Sequence, residues 1–304
     1  MKVILSDWSQ LTHAVTHAFS SDFRKGKDTA NMEHIFRHVL LTTLLSYKKQ
    51  FGMESRIVIA VDSRKGYRRK DVFPLYKQHR KKAREESDID WGTVFAISDK
   101  MKVEFAEIFP FNFIEVEKAE ADDVIAIMCK YWDTNETVET AFTSDKTQVV
   151  IVSNDGDFGQ LHKYKHVRQW DPIRKKFIEK TDKYFLLEKC IRGDAGDGVP
   201  SIRCADDFFI DENSGRAPSI TKVFLQEQFD KFDKGEQIYF GDKNLDERYR
   251  RNRVLIDFAN IPENIEKAII DKYSSYNNVS TKQKIFNYFI AKRCRNLMER
   301  IGDF

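Results

Sequence analysis

Nine carboxylates stand where their oxygens could be gathered around hard cations: Asp7, Asp62, Glu120, Asp122, Asp123, Asp155, Asp157, Asp194 and Asp197. The residues in front of three of them give the set its meaning. Val3-Ile4-Leu5-Ser6 leads into Asp7, Ile57-Val58-Ile59-Ala60-Val61 into Asp62, and Val149-Val150-Ile151-Val152 towards Asp155. Each apolar run reads as a buried strand ending in acid. In open α/β sheets the ligand site lies outside the carboxyl ends of the strands, so three such strands would converge their oxygens at one edge. Oxygen donors with no His or Cys among them suit Mg²⁺ or Mn²⁺ rather than Zn²⁺. Divalent cations are also the ordinary way to hold so many like charges together. A single aspartate after a strand is as often a turn or helix cap, and it is the ordered set that carries the reading.

Two residues after Asp62 begins a basic arm, Arg64 to Arg84, with ten Lys or Arg against one acid, Asp71. Its cations are Arg64, Lys65, Arg68, Arg69, Lys70, Lys77, Arg80, Lys81, Lys82 and Arg84, interleaved with Tyr67, Phe73 and Tyr76. Cations neutralise phosphates and aromatics stack on unpaired bases, so the mixture describes a groove for single strands. A basic run is otherwise a solvated face. Set beside an acidic metal edge, it supplies what phosphodiester cleavage needs. A like-charged segment with few core residues pays little to disorder, so a mobile arm in the absence of DNA is compatible with the sequence.

The elements that must position these groups follow from periodicity. Helical spacing over Met32 to Tyr47, with Ile35, Val39, Leu40, Thr43 and Leu44 on one face, and over Glu120 to Trp132 alternates with the strands, which predicts βαβ units and a mostly parallel sheet through about residue 180. Later segments favour helix: Tyr184 to Ile191, Ile202 to Ile210, Ile220 to Phe232, Asp246 to Asp257, Pro262 to Tyr273 and Thr281 to Arg300. The expected division is an α/β core over 1–183, with the basic arm at about 64–90, and a helical nucleic-acid-binding part over 184–304. Thr134 to Lys146 and Asp211 to Pro218 read as loops.

With 304 residues, 41% of them hydrophobic, the chain can bury a sizeable core. A net charge of +3 does not by itself indicate nucleic acid, so charge has to be read locally. Four scattered cysteines without a CxxC pair point to reduced thiols, and no run of about 18 apolar residues offers a membrane span. A soluble cytoplasmic protein is expected. Three His pairs at i,i+4 (His13 and His17, His34 and His38, His162 and His166) lack a third ligand or an HExxH glutamate and read as surface or packing residues.

The order Asp7, Asp62, Tyr-Lys-x-x-Arg at 76–80, Glu-Ala-Asp-Asp at 120–123, Ser-x-Asp-Gly-Asp at 153–157 and Gly-Asp-x-x-Asp at 193–197 resembles the flap endonuclease family of 5' nucleases. The runs Lys82 to Ser87 with Asp90-Trp91, Asp155 to Tyr164, and Val254 to Phe258 are similar to its T-even bacteriophage ribonuclease H branch. The resemblance implies a PIN-like α/β core with a helix-three-turn-helix-like element in the helical part. It also implies 5' to 3' exonuclease and flap cleavage on RNA/DNA hybrids and on branched or nicked DNA, removing lagging-strand primers during replication. By the same resemblance Asp7, Asp62, Glu120 and Asp122 surround a first Mg²⁺, with Asp123 in support. Asp155 lies between two sites, and Asp157, Asp194 and Asp197 hold a second Mg²⁺, Mn²⁺ being able to substitute. Lys77 and Arg80 match the family's basic pair on the scissile phosphate, with Asp122 and Asp155 catalytic. The run Gly193 to Pro200 would bind duplex backbone through Gly196 and Gly198, helped by Arg203. Ser201 to Asp207 departs from the family's second Gly-rich turn, so a monovalent ion does not carry over.

A monomer in the infected bacterial host is implied. A single-strand DNA-binding protein and a sliding clamp are partners that kinship alone suggests, since the chain opens on its first strand without a short acidic arm. A junction-binding scaffold that has lost catalysis would show Asn, Ser or Ala among the nine acids, and a PIN-like endoribonuclease would lack the basic arm and the Gly-Asp-x-x-Asp segment.

Overall fold

The computed structural model describes residues 1–304 apart from 135, 136, 141, 142, 212, 278 and 279, with backbone alone over the rest of 134–146. The strands are β1 (Lys2–Asp7), β2 (Arg56–Val61), β3 (Phe111–Glu115), β4 (Thr137–Thr140), β5 (Thr143–Lys146), β6 (Gln148–Val152), β7 (Val167–Asp171) and β8 (Lys176–Phe177). The helices are α1 (Trp8–Ala18), α2 (Thr29–Phe51), α3 (Arg68–Val72), α4 (His79–Glu85), α5 (Trp91–Ile108) and α6 (Ala121–Thr134), followed by α7 (Phe185–Arg192), α8 (Lys222–Asp233), α9 (Lys243–Ile256), α10 (Glu263–Ser274), α11 (Lys282–Ala291) and α12 (Arg295–Met298). The chain forms two compact units, and neither is continuous in sequence. The first holds Met1–Lys65, Ser87–Ile178 and Glu263–Phe304, and the second Gly66–Glu86 and Glu179–Pro262. The expected cut at 183/184 is therefore not where the packing divides.

In the first unit the sheet runs β3-β2-β1-β6-β7-β8, parallel except for β8. Its strands are buried on both faces, as parallel strands covered by crossover helices must be. Ile4, Ile57, Ile59 and Val150 join a core with α1, α2, α5 and α11, while Val3, Leu5 and Val58 are buried as well and α6 packs on β1 and β2. Helix α2 is longer than its predicted span and presents Met32, Phe36, Leu40, Leu41, Leu44 and Leu45 to the core, leaving Ile35 and Val39 at the margin. The predicted Thr281 to Arg300 helix is broken after α11, where Arg293 turns at φ 55°. Part of the expected loop at Thr134 to Lys146 is the antiparallel pair β4 and β5, and its residues 135, 136, 141 and 142 lie outside the described set.

The second unit packs Phe73 and Tyr76 of the basic arm with Leu187, Ile191, Val199, Ile202, Leu225 and Leu255. Two of the arm's aromatics thus belong to the core of the second unit. The segment Ile202 to Ile210 is a run of turns rather than a helix, closed by i to i+3 bonds such as Cys204 N to Ser201 O (3.0 Å) and Ile210 N to Asp207 O (2.8 Å). Asp211 to Pro218 carries no regular element among its described residues. All four cysteines are free and buried.

One polar network ties the returning C-terminal helix to the first unit. Arg37 is 4% exposed; its Nε donates to the Tyr288 hydroxyl (2.9 Å), and a terminal nitrogen to Glu104 (3.3 Å). Glu104 also accepts from Tyr288 (2.7 Å) and Lys292 (2.8 Å). Burial alone would raise the Glu104 pKa, but hydrogen bonds from Lys292 and Tyr288 and the Arg37 charge hold it below the ordinary glutamate range. The stabilisation is therefore present above the unfolded pKa and lost as pH falls through the folded one. Glu104→Ala should cost about 3 kcal/mol at pH 7, as expected when a buried cation loses a partner. In urea melts the gap from the parent should narrow below about pH 4.3; an equal gap at both pH values would mean that charge plays no part.

Candidate metal edge and nucleic-acid interface

The register of the sheet brings the strand-end acids of the first unit together. Strands β2, β1 and β6 are adjacent and parallel, with Asp7 level with Ala60 and Ser6 level with Val152. Asp62, Asp7 and Asp155 consequently stand at or just beyond the carboxyl ends of three adjacent strands. Strand order reverses between β1 and β6, so Asp7 and Asp155 flank the topological switch point, where open α/β sheets form their ligand crevice.

Each acid is oriented locally. Asp7 caps α1 by accepting from Gln10 N (3.1 Å). Asp62 accepts from Ser9 Oγ (2.7 Å) through one oxygen and from Ala121 N (2.8 Å) through the other. Asp123, fully buried, accepts from Glu120 N (3.1 Å), and Glu120 is 1% exposed. Asp122, half-buried, lies in the first turn of α6, where the helix dipole favours negative charge. Asp155 caps the short 3₁₀ turn Gly156–Lys163 by accepting from Asp157 N (2.9 Å). Behind that loop, Gln169 Nε2 donates to the carbonyls of Ser153 (3.0 Å) and Asp155 (2.6 Å), while its Oε1 meets His162 Nε2 (3.0 Å). His162 and His166 are buried packing residues; His166 lies 3.1 Å from the Cys129 carbonyl.

Sequence reasoning missed Ser9, Gln10 and Gln169 as positioning residues. Ser9, two residues after Asp7, was findable, whereas Gln169 is placed only by the β6–β7 pairing.

The seven acids of this unit fit a hard divalent cation by their chemistry, being all carboxylate. Among the described residues no three His, Cys, Asp or Glu stand close enough together to hold a metal ion as their side chains lie. Mg²⁺ keeps several waters and needs one or two direct carboxylates, so an open acidic edge is compatible with it.

Asp194 and Asp197 lie in the second unit, in a turn that only glycine can complete. Gly193 has φ 74°, and a Cβ there would stand 2.3 Å from the Val199 carbonyl oxygen; Gly198 has φ 69°, with a Cβ 2.7 Å from His79 Nδ1. Asn252, fully buried, donates to the carbonyls of Cys190 and Pro200, both at 2.9 Å. Lys189 pairs with Asp194 at 3.0 Å. Asp197 is the hub: the Tyr76 hydroxyl donates to it, Arg80 reaches it at 2.7 Å and Lys77 at 3.4 Å. Burial would raise its pKa, but Lys77, the Tyr76 hydroxyl, Arg80 and Arg69 outweigh that and hold the carboxyl below its usual range. Lys77 adopts φ 58°, unusual for a side-chain-bearing residue, and its N–H is fixed by the Asp197 carbonyl (2.9 Å). Arg80 also donates twice to the Gly196 carbonyl, at 3.0 and 2.7 Å.

The basic arm divides into two populations. Arg68 and Arg69, expected to contact nucleic acid, are 7% and 4% exposed. They donate to Val254 and Asn260 carbonyls (3.2 and 3.5 Å) and to the Leu255 carbonyl (2.7 Å), satisfying the end of α9. Tyr76, 1% exposed, is a core residue and offers no face to a base. The expectations for these three are corrected. Lys70, Lys81, Lys82 and Arg84 are exposed, while Tyr67 is half-buried with Lys70 and Lys77 each 5.7 Å from its ring. Arg64 and Lys65 are exposed on the first unit and pair with Asp99 and Glu117. Arg203 donates to the Ser219 carbonyl (2.7 Å) and lies 4.4 Å over Phe224.

A family model described as the 5'-3' exonuclease, N-terminal resolvase-like domain, matches residues 2–190, and one described as T4 RNase H, C terminal, matches 181–304. The chain is 31% identical over 309 residues to the Ribonuclease H of Enterobacteria phage T4, covering 99% of this chain and 95% of that protein. Among solved structures, the bacteriophage T5 5'-exonuclease with zinc ions aligns at a TM-score of 0.60 and 18% identity, over 90% of this chain and 99% of that one. A T5 D15 flap endonuclease complex with DNA and metal ions aligns at 0.59 and 17%, over 90% and 100%.

The division of the arm is testable by salt titration. Arg69→Ala should lower stability by about 3 kcal/mol, since it strips buried carbonyls of their donor, and leave the salt slope of DNA binding unchanged. Lys82→Ala should leave stability intact and reduce that slope by about 0.7 to 0.9 for a lost phosphate contact. The reverse pattern would reassign both residues.

Proposed function

The chain belongs to the 5'-3' exonuclease family, and on that premise we propose that it is a Mg²⁺-dependent 5' nuclease that hydrolyses primer RNA in RNA/DNA hybrids and DNA at flaps and nicks. Its setting would be lagging-strand replication in the cytoplasm of an infected bacterial host. The observation that supports the reading is the position of Asp62, Asp7 and Asp155 at or just past the carboxyl ends of three adjacent parallel strands, beside the sheet's switch point. Asp7, Asp62, Glu120, Asp122, Asp155 and Asp157 would hold divalent cations there, with Asp123 fixing Glu120 through its backbone. When bound, a pair of such ions supplies Lewis acidity at the attacking and leaving oxygens of an in-line displacement.

The protein's own groups do the rest. Ser9 and Ala121 N hold the Asp62 carboxylate in one orientation, and Gln169 fixes the loop that carries Asp155. Lys77 and Arg80 offer positive charge for the phosphates of the strand, held ready on Asp197. Exchange of that internal carboxylate for a phosphate would keep both cations paired throughout, which suits groups meant to offset charge that develops during cleavage.

The deciding experiment incubates the protein with an RNA primer annealed to DNA, and separately with a 5' flap on a nicked duplex, in Mg²⁺ and in EDTA. Short products from the 5' end in Mg²⁺ alone are expected. Tight binding without cleavage in Mg²⁺ or Mn²⁺ would leave a junction-binding scaffold instead. Asp122→Asn should abolish cleavage while DNA affinity changes little, because no arm cation is touched. Lys77→Ala should lower kcat more than affinity, by on the order of 10² to 10³.

A further inference from the structure

Two loops leave the carboxyl ends of the paired strands β2 and β3, and they are bonded to each other at three successive points. The Lys118 N–H donates to Ser63 Oγ (3.0 Å), the Ser63 N–H to the Ala119 carbonyl (2.9 Å), and the Ala121 N–H to an Asp62 oxygen (2.8 Å). Glu120 lies between the second and third of these bonds, so residues 62 and 63 fix the backbone that carries it. Ser63 is 6% exposed, and its Oγ also accepts from Lys65 N (3.1 Å). That last bond is an ordinary serine turn within one loop. The bond to Lys118 spans 55 residues and serves the other loop.

Lys118 stands at φ 62°, in the left-handed region that a side-chain-bearing residue enters at a cost. Such a conformation persists only where its surroundings over-determine it. The Lys118 side chain is exposed, whereas Ala119 after it is fully buried. Ser63 holds this turn from both ends, through its Oγ on the Lys118 N–H and its own N–H on the Ala119 carbonyl.

We propose that Ser63 is a positioning residue of the acid edge: its clamp on the Lys118 turn sets where Glu120 stands relative to Asp62, and through that how tightly the edge takes a divalent cation. The inference rests on the 5' nuclease reading of those acids. Groups that orient metal-binding side chains matter nearly as much as the ligands, and their loss costs about 10- to 100-fold in metal affinity or activity. A purely structural role for Ser63 would lower stability and leave the cation response of the folded protein unchanged.

The test uses the full chain and follows Mn²⁺ binding without nucleic acid, by the electron paramagnetic resonance signal of the free ion. Ser63→Ala should weaken Mn²⁺ binding on the order of tenfold. It should raise by a similar factor the Mg²⁺ concentration needed for half-maximal cleavage of a 5' flap, while flap affinity in EDTA stays at the parent's value. Lys118→Gly supplies the second measurement, because glycine takes a positive φ without strain. On that background Ser63→Ala should cost less Mn²⁺ affinity than it does in the parent. Thermal melts verify that each variant is folded at the assay temperature.

An unfolded Ser63→Ala, or an unchanged Mn²⁺ affinity in the folded variant, overturns the proposal. An equal loss on both backgrounds overturns the left-handed turn as the link. If the parent binds Mn²⁺ yet does not cleave the flap in Mg²⁺, the nuclease reading fails, and the Mn²⁺ comparison still decides the role of Ser63.

Discussion

Three parallel strands side by side, each running into an aspartate, set the terms for the first unit. Parallel pairing forces β1, β2 and β6 to point the same way, so their carboxyl ends share an edge. The reversal of strand order between β1 and β6 opens a crevice there. Like charges collected at one edge cost energy, and the structure limits that cost by giving the carboxylates local donors: Gln10 N for Asp7, Ser9 and Ala121 N for Asp62, Asp157 N for Asp155. Those donors also stop the side chains from rotating apart. A divalent ion arriving at such an edge would meet ligands already oriented, which is the usual condition for electrostatic catalysis.

In the second unit the same problem is solved with opposite charge. Asp197 carries Tyr76, Lys77 and Arg80 on one carboxylate. A left-handed backbone at Lys77 costs on the order of 1 kcal/mol, and it persists because the Asp197 carbonyl holds the Lys77 N–H and the packed Tyr76 ring fixes the residue before it. Strain held at a pair of cations on a tightly built turn is the kind of local cost that functional positions carry. Gly193 and Gly198 are needed there because a Cβ would strike backbone or the His79 ring.

The acidic pattern and the arrangement of elements were legible in the sequence. Apolar runs of strand length ending in Asp, separated by helical spacing, determine a parallel sheet and place its acids, since a buried strand must be apolar on both faces and its first polar residue marks its end. Tertiary structure decided what local pattern could not. Arg68 and Arg69 look like their basic neighbours in the chain, yet their guanidiniums complete the carbonyls of a helix 186 residues later. Tyr76 sits among cations and is nonetheless core. The return of residues 263–304 to the first unit, sealed by Arg37, Glu104 and Tyr288, follows from burying a shared apolar face and one buried cation. Sequence by itself thus determined which chemistry the chain carries and on which edge; only the fold decided which charges are spent inside it, because that choice depends on partners brought together by long-range packing.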